Sequence, residues 1–187
     1  MALGATVYHL EIVLSDADRG VYESLDLRLA RHPSETMRYL VARTLAYALL
    51  FDENIAFSKG LSTTNEPAVW VREGDGRILL WVEVGNPSAD RLHRASKAAS
   101  RVVVFTYDAP DRLRQAVSGE RIHQAERIEL VGVPTAFLDA VGEATGRHES
   151  WELTHTGGQL YLTIDGRTFE GALVREPLAG ELTSSGE

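Results

Sequence analysis

The sharpest chemical signal in this sequence is an acid inside an apolar run, Glu83 within Ile78-Leu79-Leu80-Trp81-Val82-Glu83-Val84. Burying an unpaired carboxylate is costly, so a cation, a metal or a proton is expected beside it. The bland alternative is an edge strand with Glu83 turned to water. Gly85 shares the Glu83 face by strand periodicity and leaves room for a long side chain from elsewhere. The next helical segment offers Arg91, Arg94, Lys97 and Arg101. Helical angle puts Arg91 nearest the apolar stripe and Arg94 farther round, while Lys97 points almost opposite. Lys97 and Arg101 therefore read as a solvated basic face. Glu66 precedes Pro67 at the mouth of the preceding strand, where a hairpin can bring it beside Glu83. Two carboxylates at one locus make a hard-cation site. Glu35 is expected in the first turn of a helix, where a carboxylate suits the positive end of the dipole. Beside it, Arg31 and His32 read as a phosphate contact or base, or as a structural pair.

The elements that must position these residues follow from periodicity. Thr6 to Leu14 alternates as a strand, Ser15 to Gly20 is rich in turn formers, and Leu25, Leu27 and Leu29 resume the alternation, predicting an antiparallel hairpin. Ser34 is the expected N-cap of a helix carried by Met37, Leu40, Val41, Thr44, Leu45, Ala48 and Leu49 and ending near Phe51. Strands are expected at Ile55–Ser58, Ala68–Arg72 and Ile78–Gly85, the last two joined through Gly74-Asp75-Gly76. A helix over Asp90–Ser100 then leads to a strand buried on both faces at Val102–Tyr107. Arg112–Val117 and Thr135–Ala144 read as helices and Ile128–Val133 as a strand. Trp151 to Val174 reads as two or three antiparallel strands turning at Gly157-Gly158 and Asp165-Gly166. A helix between neighbouring strands implies a crossover. The expected class is α/β or α+β with a central mixed β-sheet and flanking helices, one domain over residues 1–176 and a frayed tail over 177–187.

Composition sets limits on function. The chain has 187 residues, 44% of them hydrophobic, enough to fill a core. No apolar stretch is long enough for a membrane-spanning helix, and the first residues do not read as a signal peptide, so no membrane role is expected. Cysteine is absent, which removes disulfides and thiol chemistry and fits a cytoplasmic location. The net charge of -8 argues against broad coating of nucleic acid and leaves a local basic helix as the nucleic-acid contact. Only Lys59 and Lys97 among the 19 basic residues are lysines, so arginine carries meaning only where its chemistry differs from lysine. Phosphate loops, dinucleotide fingerprints, serine elbows and His-Glu-x-x-His are all missing.

The string Arg31-His32-Pro33-Ser34-Glu35-Thr36 resembles the bacterial YaeQ family. So do Gly60-Leu61, Glu66-Pro67 with Trp70, Trp81-Val82-Glu83-Val84-Gly85 with Pro87, Arg91-Leu92 and Thr106-Tyr107. Met1-Ala2-Leu3, Ala5-Thr6 and Tyr8 agree with it. The likeness is strong to about Tyr107 and looser beyond. That family is similar in fold to the PD-(D/E)XK nuclease superfamily, whose core order of helix, three strands, helix and strand matches the order read above. The resemblance implies Glu66 and Glu83 as the paired acids holding Mg2+ or Mn2+, and Glu35 as the helix carboxylate. It puts Gly85 where the superfamily lysine would stand and Arg94 where relatives carry a lysine. Arginine can hold a phosphate but is too basic to serve as a general base. The implied activity is metal-dependent phosphodiester hydrolysis, with Glu35, Glu66, Glu83 and Arg94 in catalysis. Arg91, Lys97, Arg31 and Ser34 would contact substrate. The alternative is an inactive nuclease-like fold serving as a binding or regulatory module.

Overall fold

The computed structural model describes residues 4–58 and 65–179. Gly60-Leu61, Met1-Ala2-Leu3 and residues 180–187 of the expected tail lie outside the described residues. Leu178 is an exception to the tail reading, being buried with its amide bonded to the Ile128 carbonyl at 2.8 Å.

The opening hairpin forms as the alternation requires. Strands β1 (Thr6–Asp16) and β2 (Val21–Arg31) pair antiparallel, and Tyr8, Leu10, Ile12, Leu14, Leu25, Leu27 and Leu29 face inward. Helix α1 (Met37–Leu49) follows, with Thr36 as N-cap: its side-chain oxygen accepts from the Tyr39 amide at 3.1 Å. Ser34 is therefore not the cap. Its hydroxyl lies 2.6 Å from His32 Nδ1 in the preceding turn. Glu35 lies just outside α1, before the cap, rather than in its first turn.

The central segment gives β3 (Ile55–Phe57), β4 (Val69–Arg72), β5 (Ile78–Val84), α2 (Ala89–Ala98) and β6 (Ala99–Tyr107). Then come α3 (Asp111–Ala116), β7 (Ile128–Val133) and α4 (Thr135–Ala144). Strands β8 (His148–Thr156), β9 (Gln159–Ile164), β10 (Arg167–Ala172) and β11 (Val174–Pro177) close the chain. Strand β11 has no counterpart in the sequence pattern; it adds to β7 at the sheet edge.

The class is mixed α+β, and it holds two mixed sheets rather than one. The six-stranded sheet runs β11-β7-β6-β5-β4-β3, and the five-stranded sheet runs β10-β9-β8-β1-β2. The N-terminal hairpin and the C-terminal strands merge into the second sheet because β1 pairs in parallel with β8. The expected crossover is present: β5 and β6 are parallel and α2 joins them.

One core contains the inner faces of both sheets together with α1 and α4, and a smaller one lies between the six-stranded sheet and α2 and α3. Sheet, helices, sheet, helices is thus the layer order. It explains why α1 is buried around most of its circumference, Leu40, Val41, Leu45 and Leu49 all being fully enclosed. Each such aliphatic side chain contributes about 1.5–3 kcal/mol by removal from water. Strand β6 is covered on both faces from Val102 to Thr106, as its unbroken apolar run requires.

Candidate functional site

Glu83 stands next to the last residue of β5, with its side chain on the α2 face, two residues along from Trp81. It is 5% exposed, so the edge-strand alternative fails. The indole Nε1 of Trp81 donates to Glu83 Oε1 at 2.6 Å, and Arg91 Nε donates to the same oxygen at 2.7 Å. Arg91 can reach because Ser88 caps α2, its hydroxyl accepting from the Arg91 amide at 3.3 Å, which fixes the first turn over the sheet. The Arg91 guanidinium also donates from Nη2 to the Glu66 carbonyl at 2.7 Å. Glu66, Glu83 and Arg91 therefore meet at one end of β5, with the Glu66 main chain as the point of contact.

Gly85 adopts φ of +91°, a left-handed conformation that a side chain would strain. A Cβ there would touch the Tyr107 ring at 3.7 Å. The space beside Gly85 is thus occupied by Tyr107 and not by an arginine from α2. Burial raises the Tyr107 hydroxyl to about 12. Arg38 lies with its guanidinium 5.7 Å from the Tyr107 ring centre and binds Asp139 in a two-point fork at 2.8 and 2.6 Å. Beside this fork opens a cleft of about 500 Å³.

Glu35 is buried, 4% exposed, and pairs with Arg43 Nη2 at 3.3 Å. Its other oxygen has no hydrogen-bond partner. Arg43 comes from the middle of α1 and is wedged against the rings of Tyr39 and Phe57, at 5.8 and 5.5 Å from their centres. Tyr39 lies within electrostatic reach of both ion pairs. Burial raises its hydroxyl pKa, and Arg43, Glu35, Glu83 and Arg91 all act on it through their charges.

The other expected residues lie farther out. Arg94 is exposed and pairs with Asp90 one helical turn back at 3.1 Å. Lys97 is exposed, as its angle requires. Arg31, at the end of β2, lies 6.0 Å over the Tyr8 ring with its Nε buried and unpartnered. Arg91 and Arg94, with Asn65, Trp81 and Ala98, line a cleft of about 380 Å³.

Trp81, Tyr39, Arg43 and Tyr107 were not among the residues singled out from sequence. The pattern held a signal for two of them. Trp81 must share a face with Glu83 and carries an N–H that needs an acceptor when buried. Arg43 falls in the stripe with Tyr39 and Tyr47, at helical spacings of four.

The donors on Glu83 Oε1 are an indole and a guanidinium. One oxygen is already shared by two protein donors, and among the described residues no three acids or histidines are gathered to hold a metal ion.

The chain is 31% identical over 175 residues to the YaeQ protein of Escherichia coli (strain K12), covering 91% of this chain and 94% of that protein. It is 33% identical over 168 residues to YaeQ of Salmonella typhi, covering 87% and 91%. The crystal structure of YaeQ protein from Pseudomonas syringae superposes with a TM-score of 0.81 at 35% identity, covering 95% of this chain and 97% of that one. YaeQ protein from Xanthomonas axonopodis pv. citri superposes with a TM-score of 0.86 at 28% identity, covering 92% and 98%. Residues 1–173 match the YaeQ protein family, and the chain belongs to it.

Proposed function

We propose that this chain is a nuclease-like fold working as a binding or regulatory module, without phosphodiester hydrolysis, and that the cleft between β5 and α2 takes an anionic ligand. The resemblance to the PD-(D/E)XK superfamily supplies the fold-level half of this reading. The observation that carries the rest is the commitment of Glu83 to Trp81 and Arg91. A carboxylate neutralised by a guanidinium within a buried site gives that contact up only at a cost of several kcal/mol. The charged side chains that line the cleft are both arginines, Arg94 at the rim and Arg91 behind it. Single-stranded nucleic acid fits through its phosphates, which the exposed Arg94 guanidinium can bind in a forked manner. The chain's acidic balance confines such binding to this helix.

Thermal melting with and without Mn2+ tests the first half. The midpoint of the wild type is expected to stay unchanged in millimolar Mn2+, and Glu66→Ala to behave alike. Fluorescence anisotropy with a labelled oligonucleotide tests the second. Affinity is expected to fall steeply with salt and to weaken in Arg94→Ala, which removes a guanidinium ion-paired with Asp90.

Hydrolysis is the second reading, and one observation favours it: Arg91 bonds both the Glu83 carboxylate and the Glu66 carbonyl, so the two expected acids lie at one end of β5. A Mn2+-dependent rise in melting that Glu66→Ala abolishes, with cleavage of single strands lost in Glu83→Ala, would establish it instead.

A further inference from the structure

We infer that this chain pairs with a second copy of itself along the open edge of β2, in a two-fold strand-to-strand contact centred on Leu27. The inference is independent of the cleft. Among the described residues, strand β2 is the last strand of its sheet and pairs only with β1. The His9 amide donates to the Arg147 carbonyl at 2.7 Å, so the odd residues of β1 face β8 and the even ones face β2. Tyr8, Leu10, Ile12 and Leu14 thus bond to Leu29, Leu27, Leu25 and Glu23. The N–H and C=O groups of Tyr22, Ser24, Asp26 and Arg28 point the other way, away from the sheet. The Ala30 carbonyl does the same and is bonded there by Arg43 at 3.2 Å.

Such an edge is a template for another strand, and proteins usually blunt it with proline, lysine, a bulge or short length. Strand β2 has 11 residues, lacks proline and lysine, and runs in unbroken register with β1. Tyr22, Glu23, Ser24, Asp26, Arg28 and Ala30 are exposed along it.

The residue pattern of β2 specifies the occupant. An antiparallel contact whose two-fold axis passes through Leu27 sets Asp26 opposite Arg28 and Glu23 opposite Arg31. Leu25 then meets Leu29 on the core side. Symmetry repeats every pair. The outward bonding groups belong to even residues, so the adjacent registers centre on Asp26 or on Arg28. Those bring like charges face to face, which is destabilising. The strand is self-complementary in one register and self-repelling in the two beside it. Two five-stranded sheets would become one continuous sheet.

Sedimentation equilibrium on the full chain across the micromolar range tests this. A dimer mass is expected for the wild type. Ser24→Pro removes one outward N–H and no bond to β1, so it is expected to melt like the wild type and sediment as a monomer. Arg28→Glu is expected to weaken association by on the order of tenfold or more, since it turns two attractions into repulsions. The swap Asp26→Arg with Arg28→Asp restores the opposed charges and is expected to restore the dimer. A monomer mass for the wild type throughout that range overturns the proposal. So does a dimer indifferent to the charge reversal and its swap, a result that stands even if Ser24→Pro fails to fold.

Discussion

Two carboxylates are buried near strand ends in this molecule, and they are stabilised differently. Glu83, near the end of β5, is held by Arg91 and Trp81, and Arg91 also lines an open cleft. Asp16, at the end of β1, is fully enclosed and held by His155 Nδ1 at 2.9 Å and the Arg19 amide at 3.2 Å. Around Asp16 the contacts are structural. Asp18 accepts from the Gly157 and Gly158 amides, which hold its carboxyl below the usual range, and Arg19 donates to the carbonyls of Leu49, the last residue of α1, and Phe51 just beyond it. That knot ties the β1–β2 turn, the β8–β9 turn and the C-terminus of α1 into one corner. A buried acid alone therefore does not mark a ligand site. What sets the Glu83 end apart is the open cleft beside it, lined by two arginines.

The comparison breaks most decisively at the enclosed end. His155→Leu leaves the Asp16 carboxylate in the core without its main partner, and about 3–5 kcal/mol of stability is expected to be lost in urea unfolding. Adding Asp16→Asn should return a large part of it, because the stranded charge is what costs. Equal losses in the single and double variants would show that His155 matters for packing alone. Arg91→Ala is the matching change at the open end. Arg91 is 25% exposed, so water can replace part of what is removed, and about 2 kcal/mol is expected. Glu83→Gln in that background should recover most of the loss. An Arg91→Ala cost above that of His155→Leu would reverse the distinction between an enclosed knot and a cleft wall.

Much of this was legible in the residues. The hairpin, β7, α4 and the two glycine turns near the C-terminus follow from alternation and turn chemistry, which are local. The merging of the first and last strands into a second sheet was not, because parallel pairing of β1 with β8 joins residues far apart in sequence. At the site, Glu83 and Arg91 were found from an acid in an apolar strand and an arginine on an apolar stripe. Glu35 was misplaced because an acid before a helix fits the first turn as well as the residue before the cap; Thr36, one residue on, takes the cap. Asp16 and His155 gave no periodic signal. Asp16 ends β1 and His155 is next to last in β8, both otherwise ordinary strands, and only tertiary contact makes them a pair.

The smallest effect sharpens the comparison at the surface, where the same guanidinium–carboxylate chemistry meets water. Glu129 on β7 is bound by Arg101 at 2.7 Å and by Arg175 at 2.6 Å, joining β6, β7 and β11. Burial pushes its carboxyl upward, but the two guanidiniums outweigh burial and hold it below its ordinary value. A carboxyl depressed in the folded state binds its proton more readily when unfolded. Its contribution is therefore complete above the unfolded value and is lost as pH falls through the folded one. Glu129→Gln is expected to cost roughly 0.5–1 kcal/mol near neutral pH, the range of exposed pairs, and almost nothing in acid. The two melting curves should converge as pH drops below the ordinary carboxylate range. The gap should also narrow with salt at neutral pH, which the Asp16 knot, shut away from ions, would not do.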